Sequence, residues 1–394
     1  MTASFAANEG RVTPTRPPPI GVEERRDRIR ALRMKMEKAG AGAVLLGSTS
    51  SLRYFTGVAW HPSERFLGAL ITPYRIDYIA PAFERSKVES LITEAGELYV
   101  WEEDDNPYAL IADRAGGSLV ALDGDLPLFM YRALRREIDD ALLGDAVPLI
   151  APLRARKSPA EIALMQFAMS ITLEAQRRAH AELREGVRAS EAARFIDETH
   201  RSLGASSSTF CIVAFGTDTA LPHGPEKDRA LKGGDAVLID TGCAIDGYNS
   251  DITRSYVFGE ASREYRAAWD AEKEAQAAAF EAARRGALCE SVDAAARRSL
   301  ERRGFGPGYC LPGLPHRTGH GIGLDIHESP NLVKGDKTPL DVGMCFSIEP
   351  MIVVPGSFGV RHEDHFHMAI DGPRWFTQPA ADLDAPFANA PAFC

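Results

Sequence analysis

The sequence predicts a chain of two domains, a smaller α/β domain followed by a larger α+β domain. Three observations carry that prediction. The 394 residues exceed one ordinary domain. Helix and strand patterns alternate up to about Ile150, and beyond it pairs of strands flank pairs of helices. A hydrophobic content of 45% is enough for packed cores. The 45 Lys+Arg against 55 Asp+Glu leave a net charge of -10, which argues against a broad basic face for nucleic acid or anionic lipid. No run approaches the roughly 18 apolar residues of a membrane span, and the N-terminus lacks the apolar stretch of a secretion signal, so a cytoplasmic protein is expected. Cys211, Cys243, Cys289, Cys310, Cys345 and Cys394 are scattered without a CxxC pair and read as free thiols.

In chain order, residues 1–20 are rich in Pro, Thr and Ala and predict a flexible arm. A first domain over 21–155 opens with a charged amphipathic helix to about Ala39. A buried strand at Ala43–Leu46 follows, then strands near Leu67–Thr72 and Ile76–Ala80. Residues 149–157 lack a strong period. They end in Ser158-Pro159-Ala160-Glu161, which spells a helix start: a capping Ser, Pro at the first helical position and Glu completing a capping box. The boundary is therefore placed near 155, with the second domain over 156–394. It holds helices from this cap to about Leu183 and over Ser190–Leu203, and strands around Phe210–Ala214, Ala236–Thr241 and Ser250–Phe258. Helices over Ser262–Arg285 and Ser291–Arg303 follow, the latter with Gly304 beyond its end. The last third returns to strands, and the tail from Gln378 has little to pack.

Two hairpins of the second domain gather acids. Val237-Leu238-Ile239-Asp240 runs to the tight-turn dipeptide Asp246-Gly247 and returns through Ser250-Asp251-Ile252. If the turn centres between Ile245 and Asp246, Asp240 and Asp251 are directly opposite. If it centres between Asp246 and Gly247 they are diagonal neighbours on the same face. In the second hairpin Glu349 and Glu363 are symmetric about Gly356 and should face each other. Between the hairpins lies a Gly- and His-rich segment holding His316, His320 and His327. Four converging carboxylates repel unless cations neutralise them, and acids with an imidazole suit a pair of Mn²⁺, Co²⁺ or Zn²⁺ ions, a common hydrolytic device. Single acids beside turns are usually solvated, and Asp246 is read so. His362, His365 and His367 are read as hairpin residues.

The blocks Leu238–Gly242 with Ser250–Arg254, Thr318–Gly323 with Ile326–Glu328, Ser347–Pro350 and Gly359–Asp364 resemble, in order, those of the pita-bread metallopeptidases. These include methionine aminopeptidase, aminopeptidase P, prolidase and creatinase. The first 150 residues are similar to the creatinase-like N-terminal domain of the proline-specific branch, with Ser51–Gly57 the clearest piece. The resemblance implies a pita-bread catalytic domain and two divalent metal ions, Mn²⁺ before Co²⁺ or Zn²⁺. It implies Asp240, Asp251, His320, Glu349 and Glu363 as ligands, with Asp251 and Glu363 bridging. It further implies Glu349 as general base toward a metal-bridging water, His223 and His327 as substrate-holding and intermediate-stabilising residues, His316 near the proline side, and Arg361 against the ligand cluster. All five ligand positions are filled, unlike in creatinase.

The implied activity is cleavage of Xaa-Pro dipeptides by a homodimer whose only other partner is the small peptide. The alternatives are an aminopeptidase P acting on longer peptides, or a lyase or small-amide hydrolase on the same fold. One position departs from the pattern. Prolidases resemble one another in placing an arginine between the histidine and first glutamate ligands to grip the dipeptide's carboxylate, yet 321–348 contains none. Lys334 and Lys337 are the only cations there, so a lysine of this loop or an arginine elsewhere has to supply the grip.

Overall fold

The computed structural model describes residues 15–225 and 227–390. Most of the expected N-terminal arm, residues 1–14, and Cys394 lie outside them. Two compact units are present, Ile20–Arg154 and the remainder from Ala155 onward. Among the described residues no helix is long and apolar enough to cross a membrane, and the five described cysteines are free thiols.

The first unit is a mixed six-stranded sheet. Its strands lie in the order Glu97–Trp101, Ile76–Pro81, Gly68–Ile71, Ala43–Leu46, Val120–Leu122 and Leu143–Asp145. The short, continuously apolar strand Ala43–Leu46 is buried on both faces and pairs parallel on one side and antiparallel on the other, the pattern of a sheet covered by helices. Leu45, Leu70, Ile79, Ile111 and Leu134 close its core. Most of the segment 149–157, which shows no strong period in the sequence, belongs to the helix Val147–Ala155. Pro152 lies inside this helix and removes a backbone donor, which is why the helical signal was masked.

The second unit places four long helices against antiparallel sheets. Helix Pro159–Glu182 begins with the capping box read from the sequence: Glu161 N–H donates to Ser158 Oγ, and Ser158 N–H donates to Glu161. Ala268, Ala271, Ala275 and Ala279 repeat at three- and four-residue spacing along Arg263–Ala282 and are all buried, so this helix lies closely on the sheet beneath. One sheet carries Ser208–Phe215, Ala236–Ile245 and Ile252–Val257. The other carries Glu328–Leu332, Gly319–Gly321, Cys345–Ile348, Asp364–Ala369 and Gly372–Trp375. A bridge between Thr253 and Glu363 joins them.

The tail departs from expectation. Ala380 and Leu383 are buried in the main core, and the Phe387 ring lies 5.4 Å from that of His180. Apolar residues at three- and four-residue spacing do pack, although Pro and Ala around them hide the pattern.

Candidate metal centre

The first acid pair adopts the later of the two registers. Asp246 and Gly247 both have positive φ, as a type I′ turn requires. Asp240 pairs with Thr253 across the ladder, which makes Asp251 its diagonal neighbour. Gly242 is needed here because a Cβ would lie 1.9 Å from the Ser250 carbonyl oxygen.

The second pair keeps the predicted symmetry, but the ladder breaks at the acids themselves. Met351–Val354 pairs with Phe358–Arg361, while Cys345–Ile348 pairs in the same register with Asp364–Ala369 of the other sheet. Pro350 cannot donate to a ladder, and the two backbones part around it. Glu349 N–H donates instead to Thr318 O at 2.8 Å, and Glu363 N–H to Thr253 O at 3.1 Å. Each glutamate is thereby fastened to the segment carrying another candidate ligand.

Asp240, Asp251, His320, Glu349 and Glu363 come together and none is more than 9% exposed. His320 Nε2 lies 3.2 Å from Glu349 Oε1, 3.7 Å from Glu363 Oε1 and 3.9 Å from Asp251 Oδ2. On the other side of the ring Nδ1 donates to Gly321 O at 2.9 Å. That donation fixes the tautomer and aims the Nε2 lone pair at the acids, the usual support of a ligating imidazole. Thr253 Oγ1 donates to Glu363 Oε2 at 2.8 Å and accepts from Arg361 Nε at 3.1 Å. Arg361 also donates through Nη2 to Asp240.

Burial, followed by the charges of Glu363, Asp240 and Glu349, pushes Asp251 well above the usual carboxylate range. Burial and the Glu363 charge carry Glu349 up to about 7. Burial would also raise Glu363, but the neighbouring His320 ring, then His365 and the Arg361 charge, bring it down to about 2. The protein's own cations thus hold one acid firmly ionised and leave the others short of positive charge. Asp240 Oδ1, Asp251 Oδ1 and Glu363 Oε1 are buried without a hydrogen-bond partner, which is costly unless a ligand completes them. Divalent cations fit this donor set in charge, in oxygen and nitrogen chemistry, and in the direction of the unused lone pairs.

The sequence reading passed over His365. It pairs in the ladder opposite Ser347, as a hairpin residue does, yet one of its ligand atoms lies with those of Asp251, His320 and Glu363 in a group within 4.8 Å of one another. The signal was available in its position two residues after Glu363, on the same strand face. Arg254 was also missed. Wholly buried, it forks onto Asp364 at 2.7 and 3.1 Å and donates to the Thr253 and Glu363 carbonyls at 3.0 and 3.1 Å.

The acids and His320 line a cavity of about 560 Å³ whose other walls include Phe210, Ile212, His223, His316, Arg317 and His327. Burial, then the charges of His320 and Arg317, lower His327 to about 4. Burial, then the Arg361 charge, does the same for His316. His316 Nδ1 donates to Arg317 O at 2.7 Å, and its Nε2 is buried without a partner.

Residues 163–369 match metallopeptidase family M24, and 28–156 match the creatinase/prolidase N-terminal domain. The chain is 33% identical over 343 residues to an Xaa-Pro dipeptidase of Lactobacillus helveticus, covering 84% of this chain and 92% of that one. Among solved structures, a dipeptidase of Mycobacterium ulcerans superposes with a TM-score of 0.86 at 30% identity, covering 93% of this chain and 99% of the other. A prolidase of Thermococcus sibiricus superposes at 0.82 and 30% identity, covering 91% and 98%. The second unit has the pita-bread fold and the first is the creatinase-like domain that accompanies it. With its catalytic unit matched over 163–369 and a relative 33% identical across most of its length, this chain belongs to metallopeptidase family M24.

Proposed function

We propose that the chain is an Xaa-Pro dipeptidase whose two divalent cations, Mn²⁺ foremost, are held by Asp240, Asp251, His320, Glu349 and Glu363. The observation that carries this reading is the set of buried, partnerless carboxylate oxygens on Asp240, Asp251 and Glu363 in the wall of the cavity. The Lactobacillus helveticus and Thermococcus sibiricus proteins, named for Xaa-Pro dipeptidase and prolidase, support the substrate class. When bound, such ions compensate the acids and supply a water acidic enough to be deprotonated near neutral pH.

The chain's own residues do the rest. Glu349 takes the proton of the attacking water as general base, and the Ser347 hydroxyl steadies it by donating to Oε1 at 3.3 Å. His223 and His327 hold the peptide and offer hydrogen bonds to charge that develops on the scissile carbonyl oxygen. His316, its Nδ1–H committed to Arg317 O, lies near the proline side as a neutral acceptor, and the proton that Glu349 takes from the water is the one passed on to the leaving imino nitrogen. Arg361 stays charged and, through their direct pair, offsets part of the burial that raises Asp240.

Chelated enzyme should release no proline from Ala-Pro, and added Mn²⁺ should restore release. Ala-Pro-Ala serves as the control. Cleavage of the tripeptide as well would move the assignment to aminopeptidase P. Cleavage of neither would point to the non-peptide chemistry of the same fold.

A further inference from the structure

Once the cavity is assembled, the arginine absent from 321–348 leaves a charge unaccounted for. Lys334 and Lys337, the only cations of that segment, are exposed and do not line the cavity. Two arginines do line it, Arg361 and Arg317. Arg361 is committed to Asp240, Thr253 and the Pro222 carbonyl.

Arg317 is different. Its side chain is half-buried, and among the described residues its guanidinium has no carboxylate within 4.0 Å and donates no hydrogen bond. The backbone on both sides is pinned from behind by helix Cys289–Arg302. Arg297 donates to the carbonyls of Leu314 and His316, and Asp293 accepts from both the Thr318 N–H and its hydroxyl. Arg297 and Asp293 are themselves paired at 3.0 Å. The main chain of this segment is therefore fixed while the Arg317 head is left uncommitted at the cavity wall, its charge felt at His327.

A fixed fork of donors held short of an anion beside a peptide site suits a planar carboxylate. In an Xaa-Pro dipeptide the α-carboxylate sits one residue past the scissile carbonyl. We propose that Arg317 is the specificity-determining residue that grips the free carboxylate of the C-terminal proline, in place of the arginine that the following segment lacks. The proposal rests on the Xaa-Pro reading of the site given above.

The test compares Mn²⁺-loaded wild type, Arg317→Met and Arg317→Lys on Ala-Pro and on its C-terminal amide, which lacks the charge. Wild type should prefer the acid. Arg317→Met should raise KM for Ala-Pro by roughly 30-fold, as expected for losing a hydrogen bond to a charged group, while kcat changes little and the amide is cleaved as before. Arg317→Lys should fall between. Because the readout is the acid-to-amide ratio, partial misfolding of a variant does not imitate the result. Calorimetric titration of the chelated full chain gives a reading free of turnover: Ala-Pro binding should weaken at least tenfold in Arg317→Met and amide binding should not. A wild-type enzyme active on Ala-Pro with an acid-to-amide ratio unchanged in Arg317→Met overturns the role of Arg317 alone. A wild type inactive on both peptides overturns the Xaa-Pro reading, and this proposal with it.

Discussion

At the scale of single residues, the site works by giving similar groups different surroundings. Glu349 and Glu363 are both buried glutamates, yet the neighbouring His320, His365 and Arg361 hold Glu363 down at about 2, while Glu349 rises to about 7. In the proposed mechanism Glu349→Gln keeps the shape but removes the base together with one metal ligand, so kcat for Ala-Pro should fall by at least about 10²–10⁴ with the circular dichroism spectrum unchanged. Outside the site, His200 is wholly buried between Thr172 and Ser208, and burial lowers its pKa from 6.5 to about 4 against the pull of Asp197. At pH 7.5 it is neutral in both folded and unfolded chains. As the pH drops below 6.5 only the unfolded chain takes the proton, so stability falls. Between pH 7.5 and 5 this one group should cost about 2 kcal/mol. Urea denaturation should show that a His200→Gln variant loses that much of the wild-type pH dependence.

At the scale of elements, close backbone approach and a buried fork position the proposed ligands. A Cβ on Gly319 would lie 2.0 Å from the Ser347 carbonyl oxygen, so Gly319→Ala must push apart the strands that carry His320 and Ser347. The expected loss is about 1–3 kcal/mol with weaker metal binding, read by thermal denaturation and metal titration. Arg254 ties the Thr253 and Glu363 backbones to Asp364, and Arg254→Met would strand a buried carboxylate at a cost of about 3–5 kcal/mol, measurable by the same denaturation. This is also the scale at which legibility divides. The capping box at Ser158, the Asp-Gly turn and the symmetry of Glu349 with Glu363 were readable because each is set by residues a few positions apart. The break in the second ladder was not, since it depends on Thr318 and Thr253 offering carbonyls from distant segments. His365 carried a local signal in its parity with Glu363. The isolation of Arg317 carried none, because only the folded chain shows which carboxylates its guanidinium does not meet.

At the scale of the whole molecule, a chain with a net charge of -10 concentrates partnerless buried acid oxygens in one cavity, which ties its stability to the ions that complete them. Mn²⁺ at a hundredfold excess over its dissociation constant should add about 2.7 kcal/mol for each ion bound, a rise in Tm of several degrees, with chelation reversing it. The most direct test of the centre is the number of Mn²⁺ ions bound per chain at equilibrium, in wild type and in Glu363→Gln. The account predicts two ions in wild type and no more than one, weakly held, in the variant. A wild type that binds none, or a variant that binds two as tightly as wild type does, would contradict it.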